Sequence, residues 1–272
     1  MINENNDFLI TAMLDPDVGR VSIATSTDIG KRKDQQDTVI ADDEYDYIKN
    51  GGVIVTLCDG MGGLEDGANA SKLCAITVCE AYHSKTEEDS IPKLFHKAIK
   101  LSDEKVCALS SGTSKKNSSG TTMVSVIVEG NDLYWAGVGD SRIYIIRKNE
   151  MVCVTTDHNY GMLLKKKVES GEISQHEADT HPKKEALISF IGLGRIEYVS
   201  FNDKPFKLCD GDTVIMCSDG LYRTLSNNEI KEIADSFYYD TQATADALVK
   251  YALNKGKKNQ DNTTVAVIRY YK

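Results

Sequence analysis

No apolar run in this sequence approaches the roughly 18 residues that a bilayer-spanning helix needs. The first twenty residues are acidic and polar and lack the basic-then-apolar order of a secretory leader. The chain is therefore expected in the cytoplasm. No C-x-x-C pair occurs, and the seven cysteines (Cys58, Cys74, Cys79, Cys107, Cys153, Cys209, Cys217) are odd in number and mostly sit inside apolar runs. That argues against a disulfide framework or a zinc site and for buried free thiols. His83, His96, His158, His176 and His181 show no metal-ligand spacing. Internal repeats and low-complexity linkers are missing too. So is any excess of positive charge: a formal net charge of -9 argues against general binding to nucleic acid or an anionic membrane. What is present, 272 residues with 41% hydrophobic and 27% charged, suffices for a large core in one domain or two closely packed ones.

The apolar patterning predicts strands at Val21–Ala24 and Thr38–Ile40 around a polar turn, Gly30–Asp37, and a buried strand at Val53–Leu57. Ala70, Leu73, Cys74, Thr77 and Ala81 recur at helical spacing, and Ile91–Leu109 reads as a second helix. Ser110–Ser119 reads as a solvated loop. Thr121–Val128, Asp132–Val138, Ser141–Arg147 and Met151–Thr155 are short β-rich segments between closely spaced turns, which predicts an antiparallel meander. Two more strands are expected at Val214–Cys217 and Val265–Tyr270, with helices at Ser226–Phe237 and Thr244–Ala252 between them. Ser226-Asn-Asn-Glu229 has the form of a capping box. Asp157–Gly194 breaks the pattern and reads as an inserted helical subdomain. Runs of strands and runs of helices, rather than strict alternation, predict an α+β fold of antiparallel sheets covered by helices.

The chemical signal is a recurrence of acids at predicted strand ends. Asp37 precedes one strand, Asp59 ends another before Gly60, Asp140 follows Gly139, Asp219 precedes Gly220, and Asp261 stands just before the last strand. Any one of these taken alone is usually a turn residue. If the strand ends meet, five carboxylates converge, and each pair at ~4 Å would repel by about 4 kcal/mol at an effective dielectric of 20. Such a cluster requires cations, and oxygen-only ligands favour Mg²⁺ or Mn²⁺ over zinc. Arg32 could clamp a phosphate or lie on a solvated face. Arg142 is read as a structural ion-pair partner, Cys58 as a buried inert thiol, and Lys165-Lys166-Lys167 as a solvated helix face or a docking patch for a phosphorylated partner.

Taken in order, Arg32-Lys-Asp-Gln-Gln-Asp37, Asp59-Gly-Met-Gly-Gly63, Ser119-Gly-Thr-Thr122, Val138-Gly-Asp-Ser-Arg142, Asp157-His158 with His181-Pro182, Ser218-Asp-Gly-Leu221 and Asp261-Asn-Thr-Thr264 carry a resemblance. The chain resembles the bacterial members of the metal-dependent serine/threonine protein phosphatases of type 2C, the PPM family, from about Val21 to the C-terminus, which leaves residues 1–20 as an N-terminal extension. The resemblance implies a four-layer αββα sandwich of two antiparallel sheets flanked by helices, a single catalytic domain over residues 1–272, with 157–194 as a flap. It implies that Asp59, Asp219 and Asp261 hold one Mn²⁺ or Mg²⁺ ion, that Asp37, Asp59 and the Gly60 carbonyl hold a second, and that Asp140 with Asp219 helps hold a weaker third. Arg32 would bind the phosphoryl oxygens, Gly62 and Gly63 would leave room for the ester, and a hydroxide bridging the first two ions would attack phosphorus in line. Implied partners are phosphoserine and phosphothreonine proteins and a cognate kinase, with the phosphatase as a monomer, and neither nucleic acid nor membrane is implied.

Two departures stand out. Gln35 replaces the usual Asn of the first motif, keeping the amide at longer reach. Met61 stands where animal members carry a His proposed as general acid, and methionine donates no proton; water held at the metals is expected to take over that role. Two further readings are a catalytically weak pseudophosphatase that serves as a binding module and a phosphatase dedicated to another ester or to one regulatory phosphoprotein. The first would show lost acids, and here Asp37, Asp59, Asp219 and Asp261 are all present.

Overall fold

The computed structural model describes residues 19–61, 66–86, 88–109, 119–255 and 258–272. Most of the predicted loop after Leu109, the glycines Gly62 and Gly63, and nearly all of the N-terminal extension lie outside the described residues. In chain order the first elements are β1 (Arg20–Asp28), β2 (Asp37–Ala41), α1 (Glu44–Asn50), β3 (Gly52–Asp59), α2 (Gly67–His83) and α3 (Ile91–Leu109). β4 (Met123–Glu129), β5 (Asp132–Val138), β6 (Arg142–Arg147), β7 (Glu150–Cys153), α4 (Tyr160–Glu169) and α5 (Gln175–Asp179) follow. The chain then runs through β8 (Ser200–Phe201), β9 (Phe206–Lys207), β10 (Thr213–Cys217), α6 (Asp219–Tyr222), α7 (Asn227–Ser236), α8 (Thr241–Asn254) and β11 (Thr263–Tyr271).

Two antiparallel sheets result, one ordered β1-β11-β10-β6-β7 and the other β2-β3-β4-β5-β8 with β9 also on β5. Strand alternation then dictates the layers. In β3, Val53, Val55 and Leu57 face one way and meet Val124, Val126, Ile143, Val214, Met216, Ala266 and Ile268 in the core between the sheets. The alternate residues Ile54 and Cys58 face α2 and α3 in a second core with Cys74, Val78, Leu94 and Phe95. On the other sheet Ile215, Cys217, Val265 and Val267 point away from the centre to Leu221, Ile230, Leu248 and Ala252 of α6, α7 and α8. Each fully buried aliphatic side chain contributes roughly 1.5–3 kcal/mol. Three cores thus stack four layers, the αββα sandwich implied above.

The expected single meander is corrected in one respect. β4 and β5 pair in one sheet and β6 and β7 in the other, so the chain changes sheets at Gly139-Asp140-Ser141. The capping box at Ser226/Glu229 forms as its spacing predicts, and a second forms at Ser174/Glu177. Arg142, on β6, makes a bidentate pair with Asp157 where the insert begins, at 2.9 and 2.7 Å, in the structural role expected of it.

Candidate metal centre and active site

The acids are brought together by topology. Asp37 opens β2 and Asp59 closes β3, and in the antiparallel register they are direct partners. Like charges directly opposite in a sheet are destabilising, so this pairing is unfavourable unless a cation intervenes. Asp140 lies at the crossing between the sheets. Asp219 follows β10, and Asp261 precedes β11, the neighbour of β10. One expectation is corrected here: Asp219 is the first residue of the short helix α6 and not a turn residue ending a strand.

Burial and mutual repulsion act on the cluster together. Burial first, then the charges of Asp37, Asp219, Asp140 and Asp261, push the Asp59 carboxyl well above the usual carboxylate range. Burial lifts Asp37 to about 6 and Asp219 to about 7, although Arg223 pulls the latter down. Burial also raises Asp140, against Arg223. Asp59 nonetheless keeps some contact with solvent.

Hydroxyls and amides surround the acids and fix their backbone. The Ser218 hydroxyl donates to Asp37 Oδ2 at 2.8 Å and accepts from the Thr264 amide at 3.0 Å. Thr122 N and Thr121 Oγ1 donate to the Asp59 carbonyl at 2.8 and 2.9 Å, while Asp59 N donates to Thr122 Oγ1. Asn262 accepts from Gln36 N and donates to the Ile29 and Asp34 carbonyls, pinning the turn that carries Arg32 to the start of β11. Gln35 accepts from Asp37 N at 3.1 Å, so the longer amide still serves the acid two residues on. Apart from that of the Gln35 amide, these supporting roles were not assigned from the sequence, although every one of the residues lies inside the quoted motifs; their partners are 46 to 233 positions away.

Two arginines take up carboxylate oxygens. Arg32 Nη2 donates to Asp261 Oδ2 at 2.5 Å from a half-exposed position. Arg223 engages Asp140 and Asp219. Among the described residues, no three acidic, cysteine or histidine side chains form a ready-made metal cage. The donor set nevertheless fits hard divalent cations, because it is all oxygen and because Asp37 Oδ1 is buried with no hydrogen-bond partner. Met61 does not offer a proton: its amide bonds the Gly120 carbonyl at 3.1 Å, and its Cε lies where a Cβ on Gly120 would be 2.2 Å away. Cys58 is fully buried, its thiol pushed well up by burial, as the inert reading requires.

Comparison with known proteins agrees with this geometry. The family model described as protein phosphatase 2C matches residues 31–161. The serine/threonine phosphatase Stp of Listeria monocytogenes is 31% identical over 231 residues, covering 80% of this chain and 88% of its own. Protein phosphatase PhpP of Streptococcus pneumoniae is 30% identical, covering 91% of this chain and 97% of its own. The solved S. agalactiae serine/threonine phosphatase superposes with a TM-score of 0.75 at 27% identity, covering 92% of this chain and 99% of that one. With the fold, the convergent acids and these likenesses in agreement, the chain belongs to the protein phosphatase 2C family of metal-dependent serine/threonine phosphatases.

Proposed function

We propose that this chain hydrolyses phosphoserine and phosphothreonine esters on proteins through the acids Asp37, Asp59, Asp140, Asp219 and Asp261, with Arg32 as the phosphate clamp. The observation that carries the reading is the packing of five carboxylates from separate stretches of chain, with a buried oxygen, Asp37 Oδ1, left without a donor. Asp59, Asp219 and Asp261 would hold one Mn²⁺ or Mg²⁺ ion, and Asp37, Asp59 and the Gly60 carbonyl a second. When bound, such ions lower the pKa of water and neutralise charge gathering on the phosphoryl group.

The chain's own residues supply the rest. Ser218 orients Asp37, and Thr121 with Thr122 fixes Asp59, so the opposed pair keeps its place despite its repulsion. Arg32 holds Asp261 through one nitrogen and is half exposed; its planar fork can exchange that carboxylate for two phosphoryl oxygens. Residue 61 is excluded as general acid by its chemistry and packing. We assign residues 1–272 to one catalytic domain, with 1–20 as an extension and 157–194 as a flap. We further assign the chain to the cytoplasm as a monomer opposing a serine/threonine kinase. The acidic balance argues against an anionic membrane surface as its partner, and among the described residues no helix is long and apolar enough to cross a membrane.

The direct test is turnover of a phosphoserine peptide with Mn²⁺ by the wild type and Asp219→Asn. The variant is expected to lose activity by about a hundredfold or more. Full activity of the variant in the presence of a chelator would sink the reading.

A further inference from the structure

Arg223 stands one helical turn after Asp219, and that spacing puts the two side chains on one face. Its Nε lies 3.1 Å from Asp219 Oδ2 and its Nη2 3.0 Å from Asp140 Oδ2. The same Nη2 lies 3.6 Å from Glu185 Oε2, in the 157–194 insert. The guanidinium is thus gripped by carboxylates from three segments: the crossing between the sheets, α6 and the insert. Its neighbour Tyr222 is held as well, with the Arg142 guanidinium stacked on its ring at 3.6 Å, while Arg142 itself is locked to Asp157. Arg32 is different, since it bonds one carboxylate, Asp261, that is 35% exposed, whereas Arg223, itself 39% exposed, joins Asp140 and Asp219, which are 6% and 15% exposed.

Asp140 and Asp219 are the two acids to which the resemblance gives a weaker third ion. An arginine is always charged, and its fork matches carboxylates in a way a lysine does not. It carries a positive charge to this pair without leaving the chain, and it brings no coordinated water. We propose that Arg223 is a built-in cation at the third-ion position, so that this chain binds two ions where the acids alone would bind three. Arg223 is then a positioning residue: it holds Asp219 for the first ion and ties the Asp140–Asp219 pair to Glu185. The inference rests on the metal-centre reading above.

Ion counting separates the two. Equilibrium dialysis of the metal-stripped full chain against Mn²⁺, up to millimolar concentration, is expected to give two bound ions for the wild type and for Arg223→Lys. Arg223→Gln is expected to bind three, and Asp140→Asn to stay at two. Three ions on the wild type overturns the inference and leaves the metal centre standing, and so does a folded Arg223→Gln that still binds two. No ion on the wild type overturns both. If Arg223→Gln does not fold, the wild type and Asp140→Asn decide: two and two supports the inference, and three falling to two removes it.

Discussion

Gly60 and Gly220, each next to an acid of the cluster, look like turn glycines, but space is what requires them. A Cβ on Gly60 would stand 2.3 Å from the Gly67 carbonyl and 2.6 Å from that of Gln36, whose oxygen accepts from Gly60 N. A Cβ on Gly220 would stand 2.1 Å from the Asn262 carbonyl. These glycines let the start of α2 close on β3 and the approach to β11 close on α6, which is what brings the acids near one another. Gly60→Ala is expected to destabilise the fold by about 2–3 kcal/mol through backbone displacement, read as a lowered denaturation midpoint. A change within about 0.5 kcal/mol would contradict the close approach. The Asp-Gly pairs were legible in the sequence. Their purpose was not, because Gln36 and Asn262 are distant along the chain from the glycines they crowd.

Among the elements, those with long, uninterrupted patterning were readable. β3 declared itself by a continuous β-branched run, α2 by its spacing and α7 by its capping box. α1 did not, since its seven residues bury only Tyr47 and its start rests on a box between Asp43 and Asp46; with so little buried there is no apolar stripe to see. The four-residue α6 has no side-chain cap at its start and is too short to show a pattern. The meander hid its change of sheet because local turn chemistry does not say which sheet a strand will join. At that crossing His158 braces the chain: its Nδ1 accepts from Gly139 N at 3.2 Å, and its Nε2 faces the Ser200 hydroxyl. Burial holds its pKa down at about 4, with Asp157 acting weakly the other way. The unfolded chain, titrating near 6.5, takes up this proton first, so the histidine's contribution to stability falls as pH drops from about 6.5 towards 4. The stability difference between wild type and His158→Gln, measured at pH 7.5 and pH 5, should therefore shift against the wild type by about 2 kcal/mol. An unchanged difference would show that the ring is not held neutral. The carboxylates shift in the opposite sense but are common to both proteins, so they cancel.

At the scale of the whole molecule, the site is a product of long-range pairing. Asp37 and Asp59 come from one sheet, Asp219 and Asp261 from the end of the other, and Asp140 from the crossing between them. The acids and their order were legible one by one, and the order carried the family resemblance. Their convergence was a condition that spacing alone did not meet, because antiparallel pairing of strands far apart in sequence decides it. The same holds for Arg223: neither the short helix that sets it beside Asp219 nor its hold on Asp140 was visible in the sequence. Asp59, which feels all four other charges, is the residue on which the account turns. The most direct test follows phosphate release from a phosphothreonine peptide as Mn²⁺ is titrated into metal-stripped wild type and Asp59→Asn. Wild-type turnover should rise with Mn²⁺ and vanish on chelation, and the variant should stay inactive at every concentration; undiminished turnover in chelator, or a variant as fast as wild type, would contradict it.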